Sequence, residues 1–194
     1  AFNGDQLGGI IGALDPGQIG EVLTADVLME ATEKMTLEHF HNVGGEQAAA
    51  IVGTLGADQV LDLGGEQVAG MFAAMESPQL ESLGGAFVAD ALISMGTENA
   101  IEMGSSNVAE VVDSLAVGDM ATVGADVLVD LAGAMTGEAL AGMSPESAAA
   151  MVDTIGTDAA VAGMGGEQLG GVIGGMNADQ RSVTCTDQAS TENG

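Results

Sequence analysis

Few side chains in this chain are suited to chemistry. The only histidines, His39 and His41, lie in Glu38-His39-Phe40-His41, and the only cysteine is Cys185. Lys34 and Arg181 are the sole cations against 29 carboxylates, for a net charge of −27. An imidazole beside carboxylates offers acid–base work or metal ligation. Two histidines converge on one metal most readily at i and i+4 on a helix face. Two residues apart on a short helix, His39 and His41 splay to different sides. They read as surface or helix-capping residues. Contact with a pigment metal or a hydrogen bond to a partner is the weaker alternative, and they are the only candidate cofactor-binding residues. A single cysteine excludes a disulfide framework and a thiolate metal site within one chain. That leaves an inert or intermolecular thiol.

The motifs of common enzymes are missing. There is no G-x-S-x-G elbow, no P-loop, and no D-x-D-x-D-G calcium loop. The glycine pairs recur at a fixed period and have a structural reason, not a phosphate-binding one. The carboxylates recur at helix starts, where the positive end of the helix dipole accounts for them. The sequence predicts no catalytic residues, no metal set and no enzyme activity.

The elements that carry these residues come from a repeat. Gly64–Leu83, GGEQVAGMFAAMESPQLESL, is preceded by GGEQAAAIVGTLGADQVLDL and followed by GGAFVADALISMGTENAIEM, each 20 residues long. Two further copies follow from Gly104 and Gly124. Related units start at Asn3, Leu23, Ser144 and Gly165, the last of them truncated. The units starting at Leu23 and Ser144 each hold one extra residue, the latter near Gly156–Asp158. Fixed self-similarity of this kind marks a repeat architecture, in which neighbouring units stack because none can bury its apolar face alone.

Within a unit, Val68, Met71, Phe72 and Met75 stand at i, i+3, i+4 and i+7, one face of a helix. Leu80 and Leu83 form a second, shorter stripe. The spacing predicts a first helix of about 10–11 residues and a second of about 6–7, roughly 16 Å and 10 Å long. The stripe methionines, Met71, Met75, Met95, Met135, Met151 and Met176, read as core. Phe40 takes the place of Leu80 and is expected to be buried, with Phe2 available to cover the open end of the first unit. Asp15, Ser77 and Ser144 each precede a proline and read as caps with proline at the first helical position. The Gly-Gly pairs are expected to end the short helix and let the chain reverse.

Composition sets limits on partners. A field of −27 spread along the chain disfavours nucleic acid and anionic membranes. It favours basic proteins, divalent cations or a salty medium. No apolar run is long enough to span a bilayer, so any membrane association is peripheral. The start at Ala1-Phe2 fits a chain cut from a targeting peptide, secreted or organellar (plastid, for example), or a cropped segment.

The tandem short helix pairs of Asn3–Gln180 resemble an α-solenoid, similar in kind to the right-handed superhelix of short repeats at the amino terminus of MgtE-type magnesium transporters. The resemblance implies an all-α, right-handed superhelix of about nine 20-residue helix pairs that binds other proteins along an extended surface. It transfers no functional residue. Residues 1–180 are expected to form one solenoid domain, and 181–194 a polar tail. The leading expectation is a non-enzymatic scaffold or linker subunit in a multi-subunit complex, such as a photosynthetic antenna at a membrane surface. The alternative is an extracellular structural protein whose carboxylates are bridged by Ca²⁺.

Overall fold

The computed structural model describes residues 2–178 together with 180 and 181. Cys185 and the rest of the segment after Arg181 lie outside the described residues. Those described are helical, with no strand among them. Long and short helices alternate: α1 Gly4–Gly12 and α2 Pro16–Val22, α3 Ala25–Thr32 and α4 Leu37–Phe40, α5 Gly45–Leu55 and α6 Ala57–Leu61, α7 Gly65–Ala74 and α8 Ser77–Leu83. Next, α9 Gly85–Glu102 is two helices meeting at Gly96, whose φ of 74° and ψ of 157° break the helical path. The series continues with α10 Ser105–Asp113, α11 Val117–Val123, α12 Ala125–Ala134, α13 Gly137–Gly142, α14 Pro145–Ile155, α15 Thr157–Gly163 and α16 Gly166–Gly175.

The N-caps set the register. Long helices are capped by Asn3, Thr24, Gly44, Gly64, Gly84, Gly104, Gly124, Ser144 and Gly165. Short helices are capped twelve residues later, at Asp15, Thr36, Gly56, Glu76, Ala116, Thr136 and Gly156. Gly96 has the corresponding place inside α9. Asp15 and Ser144 cap as the sequence predicts. At α8 the cap is Glu76 and not Ser77: Gln79 Oε1 reaches back and accepts from the Glu76 N–H at 3.1 Å.

Both extra residues fall after a short helix. One is Leu23, just ahead of the cap Thr24. The other is in the last turn that ends at Met164, not at Gly156–Asp158. Gly156 keeps the capping place and positive φ of Gly56 and Gly96. Val22 occupies the place at which Val43, Leu63 and Met103 are buried, yet it is 64% exposed, and Leu23 packs on the core instead. Met164 is buried in the same way. Capped helix starts resist a shift, so an added residue is absorbed where the helix simply runs on.

The stripes form one core. Val68, Met71, Phe72, Met75 and Leu80 are buried, as are Phe40 and all six stripe methionines. Phe2 does not cover the end of the first unit; it is 61% exposed. Contacts reach beyond adjacent units. Each of α5, α7, α14 and α16 packs on the short helix two units earlier: α2, α4, α11 and α13 respectively. Long helices α1, α5, α10 and α12 also pack on the short helix of the following unit, α4, α8, α13 and α15.

These close approaches give the glycine pairs a different role from the expected one. Gly84 has a positive φ, but Gly44, Gly64 and Gly165 are extended, with φ between −65° and −73°. There the first glycine lies beneath a glutamine: a Cβ on Gly44 would stand 2.5 Å from Gln47 Oε1. The second glycine admits the next unit. A Cβ on Gly45 would stand 2.9 Å from the Ala74 carbonyl, and one on Gly65 would run into the Met95 carbonyl.

Candidate functional site

The residues best suited to chemistry meet at the junction of the first two units. His39 is the third residue of α4, a position from which a side chain reaches back to the N-cap. Its Nδ1 accepts from the Thr36 backbone N–H at 2.8 Å, and Thr36 Oγ1 lies 2.8 Å from the same nitrogen. A backbone N–H only donates, so in the neutral ring the proton sits on Nε2. Nε2 faces Asp5 Oδ1 at 3.4 Å. The hydroxyl, imidazole and carboxylate therefore stand in the order of a nucleophile, base and orienting acid.

Local geometry accounts for that order without catalysis. Nδ1 is engaged by the Thr36 N–H, the reach-back half of a capping box, while the His39 backbone N–H donates to the Thr36 carbonyl at 3.0 Å. The ring is half-buried against α1, where a Cβ on Gly4 would stand 2.6 Å from His39 Cε1. His41 is the exposed C-cap of α4. The structure thus brings together Asp5, Thr36 and His39 and leaves His41 apart. Asp5 escapes a reading by sequence proximity because it is contributed by the preceding unit.

A second polar arrangement recurs along the array and was not foreseen. In each GGEQ segment the glutamine reaches two units back. Gln47 Nε2 donates to the Leu14 carbonyl at 3.1 Å, Gln67 to Met35 at 2.8 Å and Gln168 to Met135 at 3.2 Å. Each acceptor is the last residue before a short-helix cap, where a carbonyl lacks its helical partner. The repeated GGEQ string was the available signal. Elsewhere Ser147 takes over, donating to the Asp113 carbonyl at 3.2 Å, and Asp113 Oδ1 accepts from the Ser144 N–H at 2.8 Å.

Open grooves lie among the described residues. One, of about 300 Å³, has Ser77, Ser106, Glu110 and Asp113 on its walls. The other, of about 210 Å³, lies between Phe2, Leu7, Val27 and Ala31, with Glu30 and Lys34 at its rim. Neither is lined by His39. Among the described residues no three His, Cys, Asp or Glu side chains gather as a metal site needs. Lys34 Nζ donates to Glu30 Oε1 at 2.6 Å, and this bond together with the lysine charge holds the Glu30 carboxyl below its ordinary pKa. No helix among the described residues is long and apolar enough to cross a membrane.

No family model, curated protein or solved structure matches the chain. The likeness to the magnesium-transporter repeats accordingly carries no family assignment.

Proposed function

We propose that this chain is a non-enzymatic acidic scaffold, a right-handed α-solenoid of about nine helix-pair units that holds other proteins in a larger assembly. The observation that carries the reading is the division of labour within the unit. Apolar stripes and interhelical glutamines are spent on unit-to-unit packing, and the carboxylates are left outside along the whole length. Asp5, Asp26, Glu46, Asp126, Glu146 and Glu167 are all exposed in the first turns of long helices. An extended surface of one sign recruits basic surfaces and steers them by charge. A linker subunit joining antenna or other membrane proteins is a narrower form of the same reading. In that form the exposed His41 is the better pigment contact, since His39 Nδ1 already serves a cap.

The test is native mass measurement of the chain purified from its source at low and high salt. The proposal expects stoichiometric partners at low salt that dissociate as ionic strength rises. A lone, stable monomer at every salt concentration overturns it.

A further inference from the structure

We infer that the groove of about 300 Å³ between α8, α10 and α13 is a socket for a cationic side chain presented by a basic partner protein. The inference rests on the scaffold reading above and gives it a defined contact point in the middle of the array. Its basis is the residue six places after each long-helix cap. In the units from Gly64 and Gly165 that residue is a glycine seated against the short helix two units earlier. A Cβ on Gly70 would run into the Phe40 ring of α4, and one on Gly171 into the Gly137 carbonyl of α13. Ala150 has the same place in the unit from Ser144 and is buried. In the units from Gly84, Gly104 and Gly124 the place is taken by Asp90, Glu110 and Asp130. A carboxylate is costly to close over, so a seat that glycine lets shut stays open there. At Glu110 that opening is the groove, with α8 on its far side.

The lining suits a charged head on an apolar stem. Ser106, Glu110 and Asp113 stand at i, i+4 and i+7, one stripe of α10. Ser77 of α8 adds a second hydroxyl, and Ala109 and Met143 add apolar surface for methylene groups. Both carboxylates are half-buried. Asp113 Oδ1 is held by the Ser144 N–H at 2.8 Å. Among the described residues no cation pairs with Glu110 or Asp113. The second unit shows what a cation does at the corresponding place. Glu30 also stands six residues after its cap, Thr24, and Lys34 Nζ donates to its Oε1 at 2.6 Å. Four residues after Glu110 the chain has Ser114 in place of a lysine, so the cation must come from outside. A third carboxylate, histidine or cysteine is missing among the described residues, which favours a guanidinium or ammonium over a metal ion.

The test is NMR of the full chain with labelled alanine and methionine methyls, titrated with N-acetylarginine methylamide. Guanidinium is weakly hydrated and tolerates partial burial. Expected are saturable shifts confined to Ala109, Met143 and their neighbours, and none with the neutral citrulline analogue. Glu110→Gln keeps the shape of the wall, removes its charge and is expected to weaken binding about tenfold with an unchanged circular dichroism spectrum. Glu21→Gln removes the same charge from an exposed site on α2, outside the groove, and is expected to leave binding within about twofold. The inference is overturned by shifts of equal size along the whole chain, by equal binding of the citrulline analogue, or by a Glu110→Gln variant that binds as wild type does. It is overturned too if Ca²⁺ saturates the same signals at lower concentration than the arginine compound. Any of these leaves the scaffold reading standing, because that reading is judged by foreign partners at low salt.

Discussion

The first and last described long helices are close copies in sequence, NGDQLGGIIGAL and GGEQLGGVIGGM, yet they bury opposite sides. Gly8 is buried and Gly170 exposed, while Gly9 is exposed and Gly171 buried. Ile11 and Val172 are covered, and Ile10 and Ile173 are bare. The two helices present nearly the same apolar stripe. What differs is which described neighbours each meets: α1 packs on a later helix, α4, and α16 on earlier ones, α13 and α14. Burial in this molecule is therefore a property of place in the array, superimposed on a local pattern that is the same throughout.

Truncating the isoleucines breaks or sharpens that contrast most strongly. Ile11→Ala removes a covered side chain and is expected to cost about 2–5 kcal/mol, while Ile10→Ala costs less than about 1 kcal/mol. In the last unit the order inverts, with Val172→Ala costing more than Ile173→Ala. Urea melts of the four variants measure this, and equal losses at Ile10 and Ile11 would show that the stripe has no sidedness. The glycines give the next largest effect. A Cβ on Gly8 would stand 2.8 Å from the His39 carbonyl, which is backbone and cannot swing aside. Gly8→Ala is expected to destabilise by about 1–3 kcal/mol through overpacking. Gly170→Ala meets no described atom and is expected to stabilise by roughly 1 kcal/mol through helix propensity. A shift of the same sign in both melting temperatures would sink the comparison.

The glutamines repeat the contrast at smaller scale. Among the described residues the Gln6 side chain reaches no other unit and serves the Asn3 cap, accepting from the Asn3 N–H at 3.2 Å. Gln67 donates to the Met35 carbonyl, a half-buried bond between units. Gln67→Ala is expected to cost about 1 kcal/mol and Gln6→Ala distinctly less, by the same melts. If the two losses match, the clasp contributes nothing beyond a cap.

Much of this was legible in the chain. The period, the two stripes, the buried Phe40 and the stripe methionines follow from apolar spacing, which depends on helix geometry alone. The cap at Glu76 was misplaced by one residue because Ser77-Pro78 is a strong local signal, and only the fixed twelve-residue offset between caps overrides it. The extra residue of the Ser144 unit was misplaced because Gly156–Asp158 resembles an insertion, whereas the buried Met164 shows where the slack is absorbed. The roles of Gly45, Gly65, Gln47 and Gln67 were out of reach, since they arise from backbone approaches between units. For the same reason His39 could be read as a capping residue, but its neighbour Asp5 could not be named.

His39 allows that cap to be separated from chemistry. Glutamine carries an acceptor to the same reach and is common at the third position of a capping box. His39→Gln is therefore expected to keep the melting temperature near wild type, while His39→Ala loses about 1 kcal/mol as a cap does. If Gln proves as damaging as Ala, the ring is needed for its packing on Gly4 or its approach to Asp5, and the capping account is incomplete.

The smallest effect belongs to the Glu30–Lys34 ion pair, at the rim of the Phe2–Val27 groove. Glu30 and Lys34 are four residues apart at the end of α3, and both are well exposed. The Lys34 hydrogen bond, and then its charge, keep the Glu30 carboxyl below its ordinary pKa. A carboxyl lowered in the folded state stabilises above its unfolded pKa, and that contribution disappears as pH falls through the folded value. Exposure to solvent makes the contribution slight. Lys34→Met is expected to move the Glu30 titration midpoint, followed by carboxyl NMR, up toward the ordinary value. The melting temperature near neutral pH should hardly change.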